Sequence, residues 1–117
     1  MTQKKYLYTF YDEELAPNGI RAIEDERDDP WFVAEDVCKA LEYDNPELAV
    51  SKYVEEWRKK HTVIPVLHSS KKILVVSSRG VQGLCFFSQS TKASKFVDWI
   101  WYHVIRPAFP EYYRKDG

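Results

Sequence analysis

The chain has 117 residues, 44% hydrophobic and 15% aromatic, enough to bury one core as a single domain without a disulfide or metal staple. No apolar run approaches a membrane span, and the amino terminus MTQKKYLYTF alternates instead of forming a signal-peptide core, so a cytoplasmic protein is expected. The formal net charge is −1, yet residues 1–56 hold 15 acids against 6 bases, net −9, while residues 57–117 hold 3 acids against 11 bases, net +8. Such asymmetry suits a molecule whose basic half tracks phosphate and whose acidic half faces a partner. If the halves interleave in space, they neutralise each other instead.

Residues 4–11 and 19–24 have strand character and are joined by DEELAPN, in which Pro17 and Asn18 are turn residues. The acidic run from Glu24 to Asp29, closed by Pro30, reads as a solvated turn into a short strand, Trp31 to Val33. Glu35 and Asp36 suit a helix start, and Val37, Ala40 and Leu41 follow at helical spacing. The pattern breaks at Tyr43, Asp44 and Asn45, and Pro46 fits the first turn of a second helix. There Ala49, Val50, Tyr53, Val54 and Trp57 make one apolar face opposite Glu47, Ser51, Lys52 and Glu55. Two short helices around a polar turn have the outline of a helix-turn-helix, although most such pairs simply close a small core. Arg58, Lys59, Lys60 and His61 then cluster at the helix end, where cations complement the helix dipole or contact phosphate.

A second hairpin is expected from His61 to Leu67 and from Lys72 to Ser77, with Lys71 and Lys72 near its tip as in a winged helix. The same lysines would also guard a sheet edge. Ser77 or Ser78 caps a helix through Phe87 with Val81, Leu84 and Cys85 inward, weakened by Gly80 and Gly83. Ser90 or Thr91 caps the last helix, in which Phe96, Val97, Ile100, Trp101, Val104 and Ile105 repeat at helical spacing. Pro107 and Pro110 end it, leaving residues 1–110 as the domain and 111–117 as a fraying tail. The expected class is α+β: two β-hairpins, a helix-turn-helix-like pair and two C-terminal helices. Trp31, Val33, Val37, Leu41, Val50, Val54, Leu84, Phe96, Ile100 and Val104 are its expected core.

No catalytic constellation stands out. His61, His68 and His103 share no metal-ligand spacing with cysteines or paired carboxylates, and no phosphate-binding glycine pattern occurs. Cys38 and Cys85 lack a CxxC partner and read as buried free thiols. Ser77 and Ser78 beside Arg79 are explained by a helix cap without invoking a nucleophile. A non-enzymatic protein without cofactor or metal is expected.

The order IRAI, PWFVAEDVCKALEYDNPELAVSKYV, SSRGVQGLCFFS and KFVDWIWYHVIRPAF resembles the Bro-N family over about residues 19–109. That family is the N-terminal domain of prophage antirepressors and of repeated open-reading-frame proteins of large insect DNA viruses. The resemblance implies an α+β DNA-binding domain of phage and viral regulators. Departures fall at Glu42, where the family usually has Gly, at Glu47 and Leu48, commonly basic, and at Ser88, Gln89 and Ser90, often Arg and Lys. For duplex DNA the candidates are Asn45 and Lys52 at base edges, and Arg58, Lys59, Lys60, Lys71, Lys72, Arg79, Lys92 and Lys95 at phosphates. The other reading is a protein-binding inhibitor of the same fold. It engages a repressor or a host defence protein through Glu24, Asp25, Glu26, Asp28 and Asp29 by charge complementarity. A homo-oligomer is compatible with both.

Overall fold

The computed structural model describes residues 6–63 and 72–116. Strands β1 (Tyr6–Asp12), β2 (Ala16–Glu24), β3 (Pro30–Val33), β4 (Lys59–Val63) and β5 (Lys72–Ser77) form one antiparallel sheet in the order β1-β2-β3-β5-β4. The central strand β3 has the composition of a strand covered on both faces, since Phe32 and Val33 point to opposite sides and both are fully buried. Phe32 joins Ile20, Ala22 and Val76 in the main core. Val33 joins Ile23 and Val75 in a smaller cluster, against which Leu7, Trp31 and Ile73 pack.

Helices α1 (Ala34–Ala40), α2 (Pro46–Tyr53), α3 (Ser78–Phe87) and α4 (Ala93–Trp99) contribute Val37, Val50, Leu84 and Phe96 to the main core. The helix α4 runs on as a π-helical stretch, Ile100–Ile105, and the short turn α5 (Arg106–Ala108). Finally α6 (Pro110–Asp116) lays Tyr113 against Trp101, ring centroids 6.3 Å apart. The α+β class and the expected core agree with this arrangement, except that Trp31 is only partly buried.

Several local expectations give way, each for a physical reason. Pro17 and Asn18 lie inside β2; the turn is Glu13 to Leu15, where the Asp12 carboxylate accepts from the Glu14 and Leu15 amides at 3.1 and 2.9 Å. The register slips between Phe10 and Asp12, and Gly19 takes φ +87° at that irregularity, where a Cβ would lie 2.8 Å from a Tyr11 ring carbon. The helix α2 stops at Tyr53, before Trp57, which is 72% exposed in a 3-10 turn, Glu56–Arg58. A helix continuing through Trp57 would carry Lys59 away from Val76, its partner across the sheet, so Lys59 and Lys60 belong to β4 and not to a helix end.

The second hairpin is no separate wing, because β5 also pairs with β3 and makes β4 the sheet's edge. Its tip, with His68 and Lys71, lies outside the described residues. Ser77 caps α3, accepting from the Gly80 amide at 3.2 Å. At α4 the cap position is Lys92, and Ser90 Oγ accepts the Lys92 amide at 3.2 Å in the preceding turn. Pro107 does not end the last helix. Its ring would strike the carbonyl four residues back in a straight α-helix, but the preceding turn is wound wider, with Arg106 N–H donating to Trp101 O five residues back. Residues 110–116 are helical, with Pro110 at the position where a missing N–H costs nothing.

Candidate nucleic-acid interface

The link between α1 and α2 is held by its own backbone. The Glu42 amide donates to Lys39 O at 3.2 Å and the Tyr43 amide to Cys38 O at 2.9 Å, the paired bonds of a Schellman motif. Its left-handed position falls on Glu42, at φ +64°, where glycine costs least. The Glu42 carboxylate then accepts from Ser90 Oγ at 2.7 Å, tying this turn to the segment before α4. Asn45 caps α2, its Oδ1 accepting from the Leu48 amide at 3.1 Å. The exposed start of that helix offers Glu47 and Leu48.

One cleft of about 250 Å3 runs between α2 and the edge strand, lined by Glu47, Ser51, Glu56, Lys59, Lys60 and His61 among others. A neighbouring cleft of about 560 Å3 joins Asn45 and Glu47 to His61 and Lys72. Lys52 is exposed, with its ammonium 5.5 Å from the Tyr53 ring. Lys60 is exposed with its ammonium 4.2 Å over Trp31, and Lys72 is exposed opposite Val63. Arg58 and Lys59 are each paired with an acid three residues back, Glu55 and Glu56, at 3.3 Å. Arg79 lies elsewhere, bonded to Gln82 and 5.7 Å from Trp101. Lys92 donates to Glu14 O at 3.2 Å, and Lys95 is exposed on α4. The structure thus brings Lys59, Lys60 and Lys72 together along the clefts between α2 and the edge. It leaves Lys52 outside both clefts beside Tyr53, and Arg79, Lys92 and Lys95 apart on α3 and at α4.

The acidic turn is an organised structure. The Asp25 carboxylate accepts from the Arg27 and Asp29 amides at 2.9 and 3.0 Å and from the Trp31 indole at 2.9 Å. Burial opposes ionisation of Asp25, but these bonds and the nearby Lys60 charge outweigh it and hold its pKa below the usual value. Glu24 goes the other way, raised by burial despite the Tyr8 hydroxyl bond at 3.3 Å. Asp29 pairs with Lys115 at 3.2 Å, while Glu26 and Asp28 are exposed. At the entry to α1, Asp36 holds Arg21 through two side-chain bonds of 2.8 and 3.0 Å and also accepts its amide at 2.9 Å. The Asp36 hydrogen bond raises the Arg21 pKa further.

The comparison with protein families matches the BRO family N-terminal domain over residues 19–106. The chain belongs to the Bro-N family. This domain is associated with phage antirepressors and DNA-binding regulators. Comparisons with curated proteins and with solved structures returned no match. In this Bro-N domain no described helix is long and apolar enough to cross a membrane. Cys38 and Cys85 are free and buried, and burial pushes their thiols up to about 11 and about 12. Sequence reasoning missed the most exposed large apolar side chains among the described residues, Phe86 at 81% and Trp57 at 72%. Phe86 was legible: an α3 that turns Val81, Leu84 and Cys85 inward directs Phe86 outward.

Proposed function

We propose that this Bro-N domain is a phage-type regulator that acts by binding duplex DNA, without a catalytic step, and that α2 and the β4–β5 edge make the contact. The observation that carries this reading is adjacency. The helix and the edge hairpin share two clefts, and Lys59, Lys60 and Lys72 line them. The start of α2 presents Glu47 and Leu48 instead of groups suited to base edges, so phosphate dominates and sequence matters little. Glu47 lines both clefts and Glu56 the smaller one, and both oppose the polyanion and weaken binding, while the reliance on phosphate contacts makes affinity fall as salt rises.

A titration of labelled random duplex at two ionic strengths tests this. Affinity is expected to fall as salt rises, and Glu47→Arg to tighten binding at both. No binding at the lower ionic strength, or binding indifferent to salt, would refute the reading.

A further inference from the structure

Four rings, Tyr43, Tyr53, Phe87 and Phe86, form a continuous ladder with successive centroids 5.9, 4.7 and 5.0 Å apart. Two close approaches build it. Gly83 lets α3 lie against the end of α2, where a Cβ would sit 2.8 Å from the Tyr53 carbonyl oxygen, and the Tyr43 hydroxyl donates to Leu84 O at 2.7 Å. Tyr43 and Tyr53 are partly buried, but Phe86 is 81% and Phe87 51% exposed. Since α3 already turns Val81, Leu84 and Cys85 into the core, these two phenyls contribute little to folding and hold apolar surface in water.

We propose that this ladder is where a second copy of the chain docks across a two-fold axis. Charge selects a copy over other occupants. Glu42 and Asp44 are exposed beside Tyr43, and Lys52 is exposed over Tyr53, so the ladder is flanked by both signs. In a two-fold contact each sign can meet its opposite on the other copy. A nucleic acid would meet the two carboxylates, and a partner of one sign would always meet a like charge. Area sets the strength. At roughly 150–250 Å2 per aromatic side chain, the exposed 81% and 51% of the two phenyls amount to about 200–330 Å2. That serves as the apolar centre of an interface to which each partner brings about 800 Å2, so a polar rim supplies the rest and association depends on concentration.

Sedimentation equilibrium of the whole chain without nucleic acid is expected to show the 13.8 kDa monomer in equilibrium with a dimer. Phe86→Ser is expected to raise the dimer Kd about 30-fold, equivalent to ~2 kcal/mol at a central anchor, with circular dichroism unchanged and melting unchanged at dilutions where both chains are monomeric. Lys52→Glu, on another exposed side chain, is expected to weaken the same equilibrium. A chain that stays monomeric at every soluble concentration overturns the proposal. A dimer indifferent to Phe86→Ser overturns it as well. So does loss of duplex binding in Phe86→Ser where the wild type is monomeric, which would make the ladder a nucleic-acid contact.

Discussion

In the turn between β2 and β3, one carboxylate, Asp25, accepts three hydrogen bonds, and its neighbours Glu24 and Asp29 are bonded to Tyr8 and Lys115. On the β4–β5 edge, Lys60 rests over an aromatic face and Lys72 is exposed. The two regions carry opposite charge and use it differently: three acids of the turn, Glu24, Asp25 and Asp29, are tied into the fold and only Glu26 and Asp28 face solvent, whereas the basic edge presents Lys60 and Lys72 to solvent. A run of like charge in the sequence therefore does not by itself mark a contact surface. What matters is whether backbone amides and side-chain donors nearby have already claimed the charge.

Mutations that measure stability and binding together can break or sharpen that contrast. The scale is set by the core: Ile100 is 1% exposed, and Ile100→Ala is expected to cost about 2–5 kcal/mol in a urea melt. A loss below about 1 kcal/mol would place Ile100 outside the packed face. Next comes the acid at the entry to α1. Asp36→Ala strands a half-buried Arg21 guanidinium and should cost about 2 kcal/mol, reduced from a fully buried pair because Arg21 keeps some access to water.

Asp25→Ala is expected to cost about 1–2 kcal/mol, since it releases two turn amides and the Trp31 indole together. The same carboxylate should shape the acid limb of stability. Its pKa is lowered on folding, so its contribution is present above the ordinary 3.8 and is lost as pH falls through the folded value; Asp25→Asn should flatten that limb. Glu24, raised on folding, has the opposite sign, favouring the folded state at low pH and losing that contribution as pH rises through its folded value. At the small end, Lys60→Ala with Lys72→Ala should cost under about 1 kcal/mol of stability, most of it from Lys60 over Trp31.

The elements that sequence alone exposes are those whose periodicity is enforced by burial. Phe96, Ile100 and Val104 fall on one stripe because one face of a long helix meets the core, and Phe32 and Val33 mark a strand covered on both sides. What stayed hidden was decided by contacts distant in sequence. Trp57 fits the apolar stripe of α2, yet Lys59 must reach Val76, and that pairing ends the helix first. Pro107 reads as a stop because a π-helical turn cannot be inferred from one proline. Glu42 shows no sign in its own chemistry that it takes a left-handed conformation; the Schellman bonds impose it, at a position where glycine costs least. Of the candidate site, residue types were legible but their availability was not: Asn45, Arg58 and Lys59 are all engaged locally.

The most direct measurement is the slope of log K against log salt for random duplex DNA, taken for the wild type, for Lys60→Ala with Lys72→Ala, and for Glu26→Gln with Asp28→Asn. If the basic edge makes the contact, the lysine pair should weaken binding and flatten the slope by about 0.9 for each phosphate that is no longer neutralised. The acidic-turn pair should leave the slope unchanged. An unchanged slope in the lysine variant, or a change confined to the acidic-turn variant, would contradict the assignment of binding to the β4–β5 edge.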